Sequence, residues 1–468
     1  MSDKKKVLNV VSLFSGCGGL DLGFHLAKHS NYKYQLIWAN DFFESACRTF
    51  AKNFEVVYYD DPEKDVGAPS IYCGDITRFK FKEKLGNKKV DIILGGFPCQ
   101  DFSVLRGEEN RSGINVKRGR LYTHFVRALI ELQPKMFMAE NVKGLVSANK
   151  GRAFKQILDD FENLNIIGEE LEKDCGYKLE KNDVKGYHII HKKPVDFSNL
   201  GVPQNRQRLI IIGIRKDLIT EEQKAELSKR LSELPKKHIF SKYPLTTLEV
   251  FYGRSIQRLN EEYRNIMFPF IENIKKIHSK RKEEFTKDIL QNLSLDVQKD
   301  YLTLNFIKDI DNFNEAMQEH ENILDDMGYA NKPVDETKFF DNSHDRFNEF
   351  DTVKERMNHI PPGENHEFVK NTPFHVTGLM SNVYKRVHPL KSSATVIANG
   401  GGGTWGYHYS ANRQRLTNRE RARIQTFPDG FMFKGKPSEI RTQLGNAVPP
   451  FGIKPFAEEL LDISSKLF

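Results

Sequence analysis

Cysteine is scarce in this 468-residue chain, and tryptophan scarcer still: five residues and two. The five, Cys17, Cys47, Cys73, Cys99 and Cys175, include no C-x-x-C pair and are odd in number. Such a set argues against a disulfide framework and against a zinc cluster, so no metal is expected. It fits a reducing cytoplasm, where one cysteine is available for chemistry. Long apolar runs are also missing; nothing approaches the roughly 18 residues of a membrane span. Lys4-Lys5-Lys6 and then residues 7–14 mimic a signal peptide. The apolar part is short, is broken by Asn9 and Ser12, and runs into glycines where a cleavage site would stand. It reads as a buried first strand. Charge of one sign is not in great excess: 71 Lys and Arg against 63 Asp and Glu leave +8, a mildly basic balance suited to a polyanionic partner. With 39% hydrophobic and 29% charged residues, the composition is that of a folded globular chain.

Residues 1–215 alternate short apolar runs (7–14, 34–39, 90–94, 135–139, 208–214) with amphipathic stretches (20–28, 44–53, 122–132). That alternation predicts an α/β fold, a mostly parallel sheet with helices on both faces and ligands at the carboxyl ends of its strands. From about residue 216 the composition shifts. Residues 221–330 are rich in Lys, Glu, Asn and Gln at helical spacing, 331–372 are polar, and a last amphipathic helix covers about 452–467.

The chemistry-bearing motifs fall where strands end. Phe14-Ser15-Gly16-Cys17-Gly18-Gly19-Leu20 follows the first strand, and its glycines permit a tight turn against a ligand. Asp41 ends the second run, where a carboxylate grips the ribose of a nucleoside cofactor; Phe42 is placed to cover an adenine face. Asp75 ends a third segment and is read either as a cofactor contact or as a helix cap. The six-residue spacing of dinucleotide enzymes is absent. Cys99, in Gly95-Gly96-Phe97-Pro98-Cys99-Gln100, stands at the sheet edge as a candidate thiolate nucleophile, while Cys47 and Cys73 read as structural. Glu140 ends the fifth strand, where partial desolvation favours its acid form and a proton donated to a ring nitrogen. Gln204, Arg206 and Arg208 alternate along the next strand and are expected to share a face turned to the site.

Together with Arg415-Leu416-Thr417-x-Arg419-Glu420-x-Ala422-Arg423-Ile424-Gln425-Thr426-Phe427-Pro428 and Gln443-Leu444-Gly445-Asn446-Ala447-Val448-Pro449-Pro450, these motifs resemble, in order, the DNA cytosine-5 methyltransferase family. The resemblance covers about 1–215 and 380–468. Departures are small: Asp41 stands where glutamate is more usual, and residues 58–70 are extra. The resemblance implies a Rossmann-like S-adenosylmethionine methyltransferase sheet with a second, smaller target-recognition domain. The implied divisions are a catalytic domain at 1–215, a recognition domain at 216–435, and a segment at 436–468 that returns to the catalytic domain.

It further implies methyl transfer from S-adenosylmethionine to carbon 5 of a flipped-out cytosine in a specific duplex sequence, as in restriction-modification systems. Cys99 would add at carbon 6, Glu140 would serve ring nitrogen 3, Arg208 would hold the exocyclic oxygen, and Arg206 would support the cysteine and the phosphate. Phe14, Gly16, Gly18, Gly19, Leu20, Asp41, Phe42, Asp75, Ile76, Phe97, Asn446 and Val448 would bind the cofactor. The partner is double-stranded DNA; a restriction endonuclease encoded nearby is compatible, with no complex implied, and the protein is expected to be a monomer off the membrane. The loop 106–120, dense in glycine and arginine, fits a lid over DNA. Gln100, Ser103, Arg106, Gly401, Thr404, His408 and Arg413 are expected to meet DNA, with base reading centred on 398–413. A second reading makes that segment a structural hairpin whose aromatics fill the small domain's core. Two other functions stay open at this point: a tRNA cytosine-5 methyltransferase, disfavoured by the long stretch 216–380, and a catalytically inactive DNA-binding module, disfavoured by Pro98-Cys99 and Glu140.

Overall fold

The computed structural model describes residues 5–64, 66–67, 69–86, 88–98, 121–165, 171–172, 176–179, 184–277, 293–308, 310–376, 383–398, 406–413 and 415–468. The chain forms two compact units. One comprises Met1–Asp196, Gln207–Lys237 and Pro450–Phe468; the other comprises Phe197–Arg206 and His238–Pro449. The sequence places divisions at 215 and 435, whereas the units divide at 196, 206, 237 and 449.

The strands are β1 (Lys6–Leu13), β2 (Tyr32–Asp41), β3 (Val57–Tyr59), β4 (Ser70–Cys73), β5 (Ile92–Gly95), β6 (Met136–Val142), β7 (Tyr187–Asp196), β8 (Gln204–Asn205), β9 (Gln207–Arg215) and β10 (Ser393–Ala394). Eight of them form the first unit's sheet, in the order β3-β4-β2-β1-β5-β6-β9-β7. Pairing is parallel from β3 to β6, and β9 runs antiparallel to both β6 and β7. At the centre β5 is an unbroken apolar run with all four residues buried, as a sheet covered on both faces requires.

Helices α1 (Gly19–Leu26), α2 (Glu44–Phe54), α3 (Phe81–Leu85), α4 (Leu121–Leu132), α5 (Arg152–Glu162) and α6 (Glu221–Lys237) belong to this unit. The core between sheet and helices is aromatic. Trp38 stacks on Phe79 at 4.2 Å and donates from Nε1 to Tyr59 Oη at 2.7 Å, while Phe125, Phe137 and Phe161 pack on one another. Each such ring stabilises the fold by about 1.5–3 kcal/mol through burial.

The second unit is helical: α7 (Thr247–Tyr252), α8 (Asn260–Ile277), α9 (Val297–Leu304), α10 (Phe313–Asp326), α11 (Asp351–Asn358), α12 (Asn418–Ile424) and α13 (Pro437–Asn446), with β8 and β10 paired in parallel. Its interior carries paired polar groups. His320 sits between Glu249 Oε1 at 2.8 Å and the Tyr243 carbonyl at 3.0 Å, and buried Arg386 donates to four backbone carbonyls. The last helix, α14 (Pro450–Leu467), returns to the first unit. It lies so close to α1 that a Cβ at Gly23 would sit 2.7 Å from the Ile453 side chain, and Tyr34 Oη donates to the Ala457 carbonyl at 2.8 Å. Among the described residues no helix is long and apolar enough to cross a membrane.

Candidate active site

The carboxyl ends of β1, β2 and β4 lie side by side, with Leu13 opposite Asn40 and Asp41 opposite Cys73. After β1 the backbone turns through positive φ at Phe14 (55°), Gly16 (56°) and Gly18 (93°). Gly18 has no alternative: a Cβ there would stand 2.4 Å from the Phe54 ring. At Gly16 a Cβ would meet nothing within 4 Å, so the turn is open on that side. Gly19 and Leu20 form the buried first turn of α1. The Asp41 carboxylate braces the turn, accepting from Gly16 N–H and Phe43 N–H at 2.8 Å each. Burial raises its pKa above the ordinary value, and the N–H donors of Phe43 and Gly16 pull the other way. Phe42 beside it is 80% exposed, a free aromatic face.

Asp75 caps a short helical turn by accepting from Thr77 N–H at 2.9 Å, which is the capping role the sequence allowed. Ile76 is buried, and its carbonyl accepts from Arg127 Nη2 at 2.8 Å. Sequence reasoning missed Arg127 as the clamp on this turn; a lone arginine within the apolar stretch of α4 was the available signal. A carboxylate, an exposed ring and an open glycine turn on neighbouring strands suit a nucleoside-type cofactor. Asn446, exposed, and Val448, buried, lie in the other unit at the end of α13 and just after it.

The neighbouring edge, formed by β5, β6 and β9, carries the acid and the guanidinium. Glu140 Oε1 lies 3.0 Å from Arg208 Nε, and the two side chains are 12% and 15% exposed. Burial lowers the Arg208 pKa, and Glu140 opposes that shift. Gly96 makes room for the pair: a Cβ there would be 3.0 Å from Glu140 Oε2. Phe97 is buried against Tyr122 and Phe125, and its carbonyl accepts from Asn141 Nδ2 at 3.2 Å. Asn141 thus ties the end of β6 to the turn that leads into Pro98, a positioning role not foreseen from sequence. Cys99, Gln100, Ser103 and Arg106, with the rest of the lid loop, lie outside the described residues, as do Gly401 and Thr404.

Two expectations need correction. Arg206 and Arg208 do not share a face. The chain turns after β8, with Arg206 N–H bonded to the Gln204 carbonyl at 3.0 Å, and the ladder of β9 begins only at Gln207. Arg206 is buried in the second unit, donating to the carbonyls of Val396 and Gly445 at 3.0 Å each, and Gln204 there engages Gln425 and Val396. Nor do His408 and Arg413 lie open at the surface. Arg413, 9% exposed, is ion-paired with Asp335 and Glu420. His408 is stacked on Phe251, and burial drives its pKa well below the usual imidazole value. Tyr407 and Tyr409 are likewise buried.

Comparison with known proteins meets this geometry. A profile described as C-5 cytosine-specific DNA methylase matches residues 8–462. The chain is 44% identical over 466 residues to the DNA (cytosine-5-)-methyltransferase M.ApeKI of Aeropyrum pernix, covering 97% of this chain and 98% of that one. It is 34% identical to the type II methyltransferase M.NgoFVII of Neisseria gonorrhoeae, over 99% of this chain and 88% of that one. A solved structure from E. coli, described as a prophage-encoded DNA modification methyltransferase, shares the fold at a TM-score of 0.52 and 20% identity, with 98% and 99% of the chains covered. The chain therefore belongs to the C-5 cytosine-specific DNA methylase family, and it transfers a methyl group from S-adenosylmethionine to carbon 5 of cytosine in DNA.

Proposed function

We propose that the enzyme methylates a flipped-out cytosine within a specific duplex sequence, with Cys99 as the covalent nucleophile and the Glu140–Arg208 pair as the clamp on the base. One observation carries this reading: a carboxyl and a guanidinium lie 3.0 Å apart at the edge of the sheet, beside the turn that runs directly into Pro98-Cys99. Ring nitrogen 3 and the exocyclic oxygen are neighbours on one edge of cytosine. A paired carboxyl and guanidinium match those two positions. Arg208 takes the oxygen, and Glu140, released from its ion pair and carrying a proton, donates to nitrogen 3.

Carbon 5 is too weak a nucleophile by itself. Addition of the Cys99 thiolate at carbon 6 makes it enamine-like, and the two clamping groups stabilise the charge that develops on nitrogen and oxygen. S-Adenosylmethionine, when bound, supplies the electrophilic methyl group. The open turn at Gly16, the Asp41 carboxylate, Phe42 and the Asp75–Ile76 turn are the residues that would hold it, and the exposed Phe42 face supports that assignment. Because the target carbon is stacked inside a duplex, the base must be extruded, at a cost of a few kcal/mol.

Arg206 is a positioning residue in this reading. It ties 396 to 445 and holds the start of β9, so it acts on Arg208 through the backbone. Base reading falls to residues of the second unit outside the 406–413 segment. The relatives' type II naming supports a restriction-modification role with a separately encoded endonuclease.

The test is direct. Labelled S-adenosylmethionine is incubated with duplex DNA or tRNA, and the products are digested to nucleosides. Label in 5-methyldeoxycytidine from DNA alone is expected. Cys99→Ser should lose turnover and keep cofactor binding, and a duplex containing 5-fluorocytosine should trap a stable adduct. Near-normal methylation by Cys99→Ser would refute the mechanism.

A further inference from the structure

Behind the proposed cofactor turn lies a pair of thiols that the methyl-transfer mechanism does not use. Cys47 sits on the first turns of α2, fully buried, and its Sγ donates to the Asp41 carbonyl at 3.4 Å. Cys73 ends β4 directly opposite Asp41 and is only half-buried. The same Asp41 carbonyl accepts Gly74 N–H at 3.0 Å, so one oxygen joins the end of β2, the buried thiol and the root of the turn that carries Asp75 and Ile76. Cys47 packs in one small core with Ala39, Phe50 and Ile71, and Cys73 and Tyr58 pack against that core.

We propose that Cys73 and Cys47 are an oxidative modification site: a hydroperoxide converts them to a disulfide, and that cross-link weakens S-adenosylmethionine binding. The proposal rests on the cofactor-site reading above. The two thiols are unequal in the way such a site requires. The neighbouring Cys47 and Tyr58 bring Cys73 down to about 7, so the reachable thiol is substantially thiolate near neutrality, while burial keeps Cys47 protonated. The Cys73 thiolate attacks the hydroperoxide, breaks its O–O bond and becomes a sulfenic acid, releasing an alcohol or water once the leaving oxygen takes a proton. The Cys47 sulfur then displaces hydroxide from the sulfenic sulfur, its own proton leaves with the hydroxide as water, and the disulfide forms. Two thiols lose two electrons and the peroxide gains them. Cross-linking removes the S–H donor from the Asp41 carbonyl and pulls the 74–76 turn toward α2, displacing groups on both sides of the proposed adenosine site.

The experiment uses full-length Cys99→Ser protein, so that oxidation of the proposed nucleophile does not contribute. The protein is treated with hydrogen peroxide, capped with alkylating reagent and mapped by non-reducing peptide mass spectrometry. S-Adenosylhomocysteine binding is measured by calorimetry before and after. Expected are a peptide pair joining Cys47 to Cys73, affinity weaker on the order of fivefold or more, recovery with dithiothreitol, and loss of both effects in Cys73→Ser. Absence of the joined peptides, joined peptides with unchanged affinity, or an equal loss in Cys73→Ser would each overturn the proposal alone. If reduced Cys99→Ser protein bound no S-adenosylhomocysteine, the cofactor-site reading would fall, and the proposal with it.

Discussion

Asp21 gives the molecule a stability that depends on pH in an unusual direction. It lies in the first turn of α1 and is 4% exposed; neither its oxygens nor the facing Ser12 hydroxyl makes a hydrogen bond of normal geometry. Burial pushes its carboxyl up to about 7, against an ordinary value of 3.8, with Ser12 offsetting only part. A carboxyl raised in the folded state favours the protonated native form. Its stabilising contribution is therefore complete below about pH 4 and is lost as pH climbs toward 7. About three pH units at roughly 1.4 kcal/mol each make about 4 kcal/mol, a large part of the 5–15 kcal/mol that holds a typical fold together. Asp21→Asn mimics the protonated acid at every pH. It should match wild type near pH 4 and exceed it by a few kcal/mol at pH 8. Urea unfolding followed by Trp38 fluorescence, in a Trp405→Phe background, reads the unit that contains Asp21. His188 and His191, which burial pushes down, lose stability in the opposite direction as pH falls, and they cancel in the difference between the two proteins. A difference that stayed flat from pH 4 to pH 8 would refute the reasoning.

Three further outcomes are expected. Asp41→Ala should weaken S-adenosylhomocysteine binding by about 1.5–3 kcal/mol in calorimetry, and it should also lower the melting temperature, because Gly16 and Phe43 lose their acceptor. Gly18→Ala must adopt a left-handed backbone and push aside two rings; a loss of about 1–3 kcal/mol in chemical denaturation is expected. Arg413→Met leaves the fully buried Glu420 carboxylate without its guanidinium, while Asp335 keeps Arg346, so stability should fall by about 3–5 kcal/mol. The sites methylated in a mixed-sequence duplex should not change; a change would return Arg413 to base reading.

The first unit was largely legible in the sequence because its information is local. Strand ends carry the glycine turn, Asp41, Glu140 and the Pro98-Cys99 step, and period and position reveal them without partners. The edge strand β7 was missed because His191, Lys192, Lys193 and Pro194 interrupt its apolar pattern and three of its residues are exposed. Gln204 to Arg208 misled for a different reason. Alternation holds only within a continuous ladder, and a turn at Arg206 ends it. The segment 406–413 looked like an interface because arginine, histidine and tyrosine are recognition residues. Their burial depends on Asp335 and Phe251, distant in sequence, and no spacing rule points to them.

The return of α14 to α1 also sets the order in which the protein can be made. The bond from Lys28 N–H to Glu458 spans 430 residues. At about 5–20 residues per second, the ribosome needs roughly 20–90 s between making α1 and making the helix that covers it. Throughout that time the Gly23 groove waits on the nascent chain with no partner for its apolar face. Translation that stops at residue 449 leaves the first unit permanently without that cover, however well the second unit has formed. Completion of the first unit's packing thus waits on a segment made hundreds of residues after α1.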